Sequence, residues 1–284
     1  VGEWALHHGE AWEWLRSLPS SSASALVTDP PYSSGGFTRG DRTEDPSKKY
    51  RKSGSVNANN VESFGGDTRD QRAFLAWCSL WLTEAHRVLE EGARVLVATD
   101  WRQLPSVCDA IQIAGFVWRG VAVWTKKGIG RPQRGRFRGD AEFFVWGSKG
   151  PLPIAGPVLP GTFESTAEEV ERAAALVREA PEIAAGPVPA AHRLHLTEKP
   201  AEVMEAVLAY VPSGLVVDPF AGSGSTGVAA LRRGLRFAGC EASPHYHALA
   251  SRRLTAEAAG VDGLTAARDG QLALGAEPAR EGAL

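Results

Sequence analysis

Two adjacent prolines, Pro30 and Pro31, follow the apolar run Ala25-Leu26-Val27 with only Thr28 and Asp29 between them. A β-branched apolar run of this kind reads as a buried parallel strand, and paired prolines can neither donate to a strand ladder nor continue as helix. The chain has to leave the sheet there. Asp29, the Pro30 and Pro31 carbonyls and Tyr32 are thereby set down together at the carboxyl edge of a strand, where open α/β sheets bind ligands. Asp29 and the Pro30 carbonyl can accept from an amino group while Tyr32 stacks on the ring behind it, so the grouping suits a nucleobase with an exocyclic amine. The same four residues can also form an ordinary surface turn, because Asp and Pro favour turns for local reasons.

The flanking sequence favours the sheet. Residues 4 to 8 read as a strand ending at Gly9-Glu10, followed by a helix with Ala11, Trp12, Leu15 and Leu18 on its apolar face and Pro19 as its stop. With the next strand this makes strand, helix, strand, half of a doubly wound sheet. Farther on, residues 71 to 89 carry Phe74, Leu75, Trp77, Leu80, Trp81, Ala85, Val88 and Leu89 at helical spacing, and Gly92 is expected to end that helix before a strand at 94 to 99. A helix over 104 to 114 and strands over 116 to 125 and 142 to 146 follow. Residues 162 to 180 show an Ala- and Glu-rich helical pattern starting at a Ser165 or Thr166 cap between Pro-rich segments, and the block 150 to 194 reads as an inserted recognition or dimerisation element.

Basic and acidic residues number 31 and 33, so no global positive field announces nucleic acid and any such surface has to be local. Two stretches qualify. The long connection after Tyr32, residues 33 to 70, carries Arg39, Arg42, Lys48, Lys49, Arg51 and Lys52. The stretch 126 to 140 carries Lys126, Lys127, Arg131, Arg134, Arg136 and Arg138 before its first acid, Asp140. One-signed charge on Gly-rich loops beside a ligand-binding edge fits phosphate contact, against the alternative of charge that only keeps a loop solvated. Cys78, Cys108 and Cys240 form no Cys-x-x-Cys pair and His7-His8 has no partner cluster, which argues against a disulfide framework or a metal site and for a reducing cytoplasm. Neither a membrane span nor a signal segment is expected.

The second half repeats the theme of a strand ending in an acid. Leu215-Val216-Val217 reads as a buried strand, Asp218-Pro219-Phe220-Ala221-Gly222-Ser223-Gly224 as a Gly-rich turn opening a helix, and a further strand ends at Cys240-Glu241. Gly-x-Gly lets a ligand approach bare backbone, and an acid closing the next strand can accept both hydroxyls of a ribose. An adenosine-containing cofactor follows. Gly222, Gly224 and Gly227 also satisfy the dinucleotide pattern Gly-x-Gly-x-x-Gly, which keeps an NAD-dependent dehydrogenase as an alternative of another class. Asp218 speaks against it, since a carboxylate there repels a pyrophosphate but attracts the cationic sulfonium and amine of S-adenosylmethionine.

At this point the sequence resembles the amino-methylating DNA methyltransferases. Asp29-Pro30-Pro31-Tyr32 is similar to their catalytic motif, Asp218 to Gly224 to their cofactor motif, and His195-Leu196-Thr197-Glu198-Lys199-Pro200 to the element preceding it. The catalytic motif comes first, as in the permuted group called β. The resemblance implies a Rossmann-like α/β methyltransferase fold, a mostly parallel seven-stranded sheet with one antiparallel strand in circularly permuted order, spanning residues 1 to 258 with a flexible tail at 259 to 284. It implies S-adenosylmethionine as cofactor, held by Asp29, Asp218, Phe220, Gly222, Ser223 and Gly224, with Thr197 and Lys199 on the methionine carboxylate, Glu241 on the ribose and Gly9-Glu10 near the adenine. Glu10 stands where Gly-Asp is usual, and His195-Leu196 replaces His-Pro. It further implies double-stranded DNA as substrate, a homodimer, and a bacterial or phage-encoded cytoplasmic enzyme. Adenine N6 is the expected target and cytosine N4 the runner-up, for which Ser in place of Asp29 is more typical; RNA or protein amide methylation is a third reading.

Overall fold

The computed structural model describes residues 3–32, 69–126, 134–135, 137–152, 158–165 and 199–260. The apolar runs become strands β1 (Trp4–His8), β2 (Ala23–Thr28), β3 (Leu89–Thr99), β4 (Val117–Lys126), β5 (Ala141–Ser148), β6 (Thr162–Ser165), β7 (Leu215–Asp218) and β8 (Arg236–Glu241). Helices α1 (Ala11–Ser17), α2 (Gln71–Val88), α3 (Leu104–Ile113), α4 (Ala201–Leu208), α5 (Ser225–Arg232) and α6 (Pro244–Ala258) connect and cover them. All eight strands form one sheet in the order β1-β8-β7-β2-β3-β5-β4-β6, and only β5 runs against its neighbours.

Why these runs are apolar throughout follows from their place. A parallel sheet covered on both faces buries both sides of each strand. In β3, Val95 and Val97 face one core with Trp14, Trp81 and Ile111, while Leu96 and Ala98 face a second with Met204, Leu208 and Phe237. In β7 the same alternation puts Val217 in the first core and Val216 in the second. Residues of α1, α2 and α3 build the first core, and residues of α4, α5 and α6 the second, so the sheet is doubly wound.

Chain order and sheet order disagree in an informative way. From β7 the chain steps to β8 on one side, with β1 beyond it, whereas β2, β3 and the remaining strands lie on the other side. The order therefore reverses between β7 and β2, and the helix after each strand covers an opposite face. A crevice opens at such a reversal, at the carboxyl ends of the strands.

Four expectations need correction. Among the described residues the sheet has eight strands where seven were expected, and residues 162–165, ending at one of the two expected helix caps, pair as a strand in parallel with β4. Thr and Phe suit a strand, Trp124 Nε1 donates to Ser165 Oγ at 3.0 Å, and Thr125 Oγ1 donates to the Phe163 carbonyl at 3.1 Å. In α1 the buried tryptophan is Trp14 and Trp12 is 45% exposed, since the short helix turns Ala11, Trp14 and Leu15 toward the sheet. Gly92 does not separate helix from strand: β3 begins at Leu89, and Gly92 lies within it at φ +78°. The loop 33–68, Lys127, Arg131, Arg136, the segment 166–198 with His195 and Thr197, and the tail beyond 260 lie outside the described residues.

Candidate active site

Because seven strands run the same way, their carboxyl ends share one edge, and that edge collects charge. Across it stand Glu10 beyond β1, Glu241 at the end of β8, Asp218 at the end of β7, Asp29 beyond β2 and Lys126 at the end of β4. Running the other way, β5 brings Glu142 to the same edge at its start. The two sequence motifs, 189 residues apart from Asp29 to Asp218, become neighbours because β2 pairs with β7.

The glycine turn between β7 and α5 is shaped by what it lacks. Gly222 has φ +54° and Gly224 φ +86°, backbone that side chains rarely adopt. A Cβ at Gly222 would meet nothing within 4 Å, so open space lies above the turn for a ligand to occupy. At Gly227 a Cβ would meet Leu254 Cδ2 at 2.6 Å and Phe237 Cε1 at 2.7 Å, which is the close helix-to-strand packing that seats α5. Glu241 ties the turn to β8: Oε2 accepts from the Gly222 N–H and Oε1 from the Ser243 N–H, both at 2.8 Å. Burial lifts its carboxyl above the ordinary range while these N–H groups pull it back. From α6, Arg253 Nη1 donates to the Ser223 carbonyl at 2.8 Å and braces the turn from behind.

Asp218 sits beneath the turn, 1% exposed. Its Oδ1 accepts from Thr28 Oγ1 at 2.6 Å and from the Phe220 N–H at 3.0 Å. Burial pushes this carboxyl up to about 6, against the hydrogen bonds from Thr28, Thr226 and Phe220. Asp218 was expected to attract the sulfonium and amine directly or through water; among the described residues its carboxylate stitches the turn to β2 through Thr28 and the Phe220 N–H. Phe220 likewise turns its ring inward, 5.3 Å from Trp77 and 5.2 Å from Trp81.

On the β2 side, Asp29 keeps 30% of its side chain exposed and forms an ion pair through Oδ2 with Lys199, which is 2% exposed. Lys199 Nζ also lies 3.3 Å from Glu142 Oε2, and Glu142 Oε1 pairs with Lys126. Burial and the Glu142 charge raise the Asp29 carboxyl above its ordinary range, with Lys199 pulling it back. Burial works the same way on Glu142, but there Lys199 and Lys126 prevail and hold it below the ordinary range. Burial would lower the Lys199 ammonium, and the two carboxylates outweigh it and raise it. Tyr32 is 6% exposed, part of the first core, with Lys199 Nζ 5.8 Å from its ring centroid.

A DNA methylase family profile matches residues 23–252, which spans the crevice from β2 through the glycine turn to α6. The chain belongs to that family. Type II methyltransferase M.ScaI of Streptomyces caespitosus is 25% identical over 276 residues, covering 89% of this chain and 82% of that one. Two solved structures share the fold: TTHA0409 of Thermus thermophilus complexed with S-adenosyl-L-methionine (TM-score 0.56, 21% identity, 91% of this chain and 97% of that one) and the cytosine-N4-specific PvuII DNA methyltransferase (TM-score 0.60, 17% identity, 95% and 94%).

In this DNA methylase the described residues bring together Asp29, Pro30, Asp218, Gly222, Gly224 and Glu241 across the β7–β2 reversal, with Gly9 and Glu10 at the outer end. Gly9 is joined to the edge by its N–H, which donates to the Glu241 carbonyl at 3.1 Å. Among the basic residues expected at DNA, Arg134 and Arg138 are exposed beside Phe137, which is fully exposed. Lys126 is a correction: its charge is turned inward onto Glu142 and is 14% exposed. Lys199 too faces two carboxylates of its own chain. Sequence reasoning did not find Glu142, Thr28 or Arg253. For Glu142 the available signal was an acid within the opening of an apolar strand, Ala141-Glu142-Phe143-Phe144, two residues past the Asp140 that ends a basic stretch; for Thr28 it was a hydroxyl just before Asp29 at the end of an apolar run.

Proposed function

We propose that this DNA methylase transfers a methyl group to the N6 amine of an adenine turned out of the duplex. The observation that carries the reading is Asp29: its side chain is partly exposed beside the Pro30 carbonyl at the β2 edge, and its Oδ1 is a buried acceptor that makes no hydrogen bond among the described residues. An exocyclic amine conjugated to its ring is a poor nucleophile, because its lone pair is delocalised. Two acceptors taking both N–H hydrogens favour a pyramidal nitrogen whose lone pair is freed for attack. Asp29 Oδ1 and the Pro30 carbonyl supply those acceptors.

S-adenosylmethionine, when bound, supplies an electrophilic methyl group on a sulfonium. The residues present fit it. Gly222 leaves bare backbone under open space, Gly224 lets the turn pack against Ala250, Glu241 is anchored by two N–H groups with lone pairs remaining for a ribose, and Glu10 stands exposed at the outer end of the same edge. The family motif adds Thr197 on the methionine carboxylate; Lys199, which that motif also assigns there, is held between Asp29 and Glu142.

The amine cannot be reached inside a duplex, so the target nucleotide has to flip out at a cost of a few kcal/mol. Arg134 and Arg138 flank the edge on the β4–β5 connection and suit phosphate contact, with the exposed rings of Phe137 and Trp101 near the same rim. Tyr32, being buried, would have to expose a face to stack on the base. The loop 33–68, the segment 166–198 as a recognition or dimer element, and a homodimer complete the reading. Nucleoside mass spectrometry of duplex DNA incubated with the protein and S-adenosylmethionine tests it: N6-methyladenine is expected, and N4-methylcytosine alone would replace the adenine reading with the cytosine one.

A further inference from the structure

Four charged side chains from four separate segments close on one another behind the catalytic edge: Asp29 after β2, Lys126 at the end of β4, Glu142 at the start of β5 and Lys199 before α4. Two carboxylates and two ammonium groups sum to zero. Their exposures run 30% for Asp29, 14% for Lys126, 11% for Glu142 and 2% for Lys199, so only Asp29 has a substantial open face. Each charge but Asp29 is committed inside the protein. Of the four, and among the described residues, only Asp29 has an oxygen, the buried Oδ1, that lies outside any hydrogen bond or ion pair and can take part in a reaction without breaking one.

A buried lysine whose only partner becomes neutral is left as an uncompensated charge, which is strongly unfavourable. Lys199 escapes that, because Glu142 Oε2 is already 3.3 Å from its Nζ. Lys126 stays on the other Glu142 oxygen and keeps that carboxylate ionised. We propose that Glu142 is a positioning residue for the Asp29 step: it holds Lys199 between the two carboxylates and becomes that lysine's counter-ion when Asp29 takes the proton shed by the methylated amine. This rests on the methyl-transfer reading above. In the step the N–H bond of the amine breaks with its electron pair staying on nitrogen, an O–H bond forms at Asp29 Oδ1, and the proton later leaves to solvent once Oδ1, itself buried, turns toward the exposed part of the Asp29 side chain. Lys199 keeps its proton throughout.

The acids at the ends of the two strands that flank β2 are fixed elsewhere. Asp218 on β7 is held by Thr28 and the Phe220 N–H, and Asp100 beyond β3 by Arg102 and the first N–H groups leading into α3. Among the described residues, Lys199 is thus the cation that both touches Asp29 and has a second carboxylate to move to.

The test is Glu142→Gln. Without the second carboxylate Lys199 bears on Asp29 alone, so the Asp29 carboxyl, followed by carbon-13 NMR in the protein free of DNA, should titrate about one pH unit or more lower than in the wild type. The kcat for methyl transfer should fall by roughly tenfold or more, as expected when a proton acceptor loses basicity, while KM for DNA and for S-adenosylmethionine stays within about twofold. Glu142→Asp should move both readouts back toward the wild type. If Glu142→Gln does not fold by circular dichroism, a folded Glu142→Asp carries the test, with a smaller Asp29 shift in the same direction. Wild-type titration of Asp29 in a folded variant overturns the proposal alone; a wild-type protein that methylates no base overturns the enzymatic reading and this step with it.

Discussion

Asp29 and Asp218 begin alike, each an aspartate after an apolar strand and before a proline, yet the structure gives them opposite surroundings. Asp218 is 1% exposed and bonded to Thr28 across 190 positions of chain, while Asp29 keeps part of its side chain exposed and a buried Oδ1 that makes no hydrogen bond among the described residues. Both motifs were legible in the sequence. Their division of labour was not, because a hydrogen bond from Thr28 depends on β2 lying beside β7. The difference has a measurable consequence. Burial holds the Asp218 carboxyl at about 6 against an ordinary value of 3.8, so the folded protein keeps a proton that the unfolded chain releases. That contribution is fully present below the unfolded value and is lost as pH rises through the folded one, amounting to about 3 kcal/mol. Asp218→Asn should remove this slope: in thermal melts from about pH 4 to about pH 7, the wild type should lose stability relative to the variant, and parallel curves would contradict the assignment.

At the scale of elements, the glycine turn separates packing from binding. Gly227→Ala places a methyl group against Leu254 and Phe237, and overpacking of that kind should cost about 1 to 3 kcal/mol in urea unfolding. Gly222→Ala meets open space and only a strained φ, so it should cost about 1 to 2 kcal/mol yet weaken S-adenosylmethionine in calorimetry by tenfold or more, on the order of 1.4 kcal/mol. The β4–β5 connection divides in the same way. Replacing Arg134 and Arg138 together by Gln should reduce the slope of log affinity for DNA against log salt by about 2, whereas Lys126→Gln should leave the slope unchanged and lower stability. The sequence displayed the one-signed charge of this connection but not that Lys126 turns inward, since that depends on Glu142 arriving from the antiparallel strand. The missed strand β6 has a similar cause: Thr162–Ser165 is too short to show a period, and its pairing comes from the open edge of β4.

For the whole molecule, most of the architecture could be read in order: strands ending in acids, helices between them, and a catalytic motif preceding the cofactor motif. The permutation itself was legible only through resemblance, because no local pattern says that β1 lies beyond β8 or that β2 lies beside β7. Once it is in place, the two halves of the chain meet at a single reversal of strand order, with the glycine turn on one bank and Asp29 on the other. Lys199 crosses from the second half of the sequence to Asp29 in the first, which is how a permuted chain comes to assemble one site. The central claim is that the Asp29 bank handles the amine and the glycine bank handles the methyl donor. Asp29→Ala tests it most directly, by single-turnover methyl transfer measured alongside S-adenosylmethionine affinity on the same preparation. Transfer should fall by about a thousandfold or more with affinity changed by less than about threefold; a proportionate loss of both would show that Asp29 supports the fold of the crevice instead of the chemistry in it.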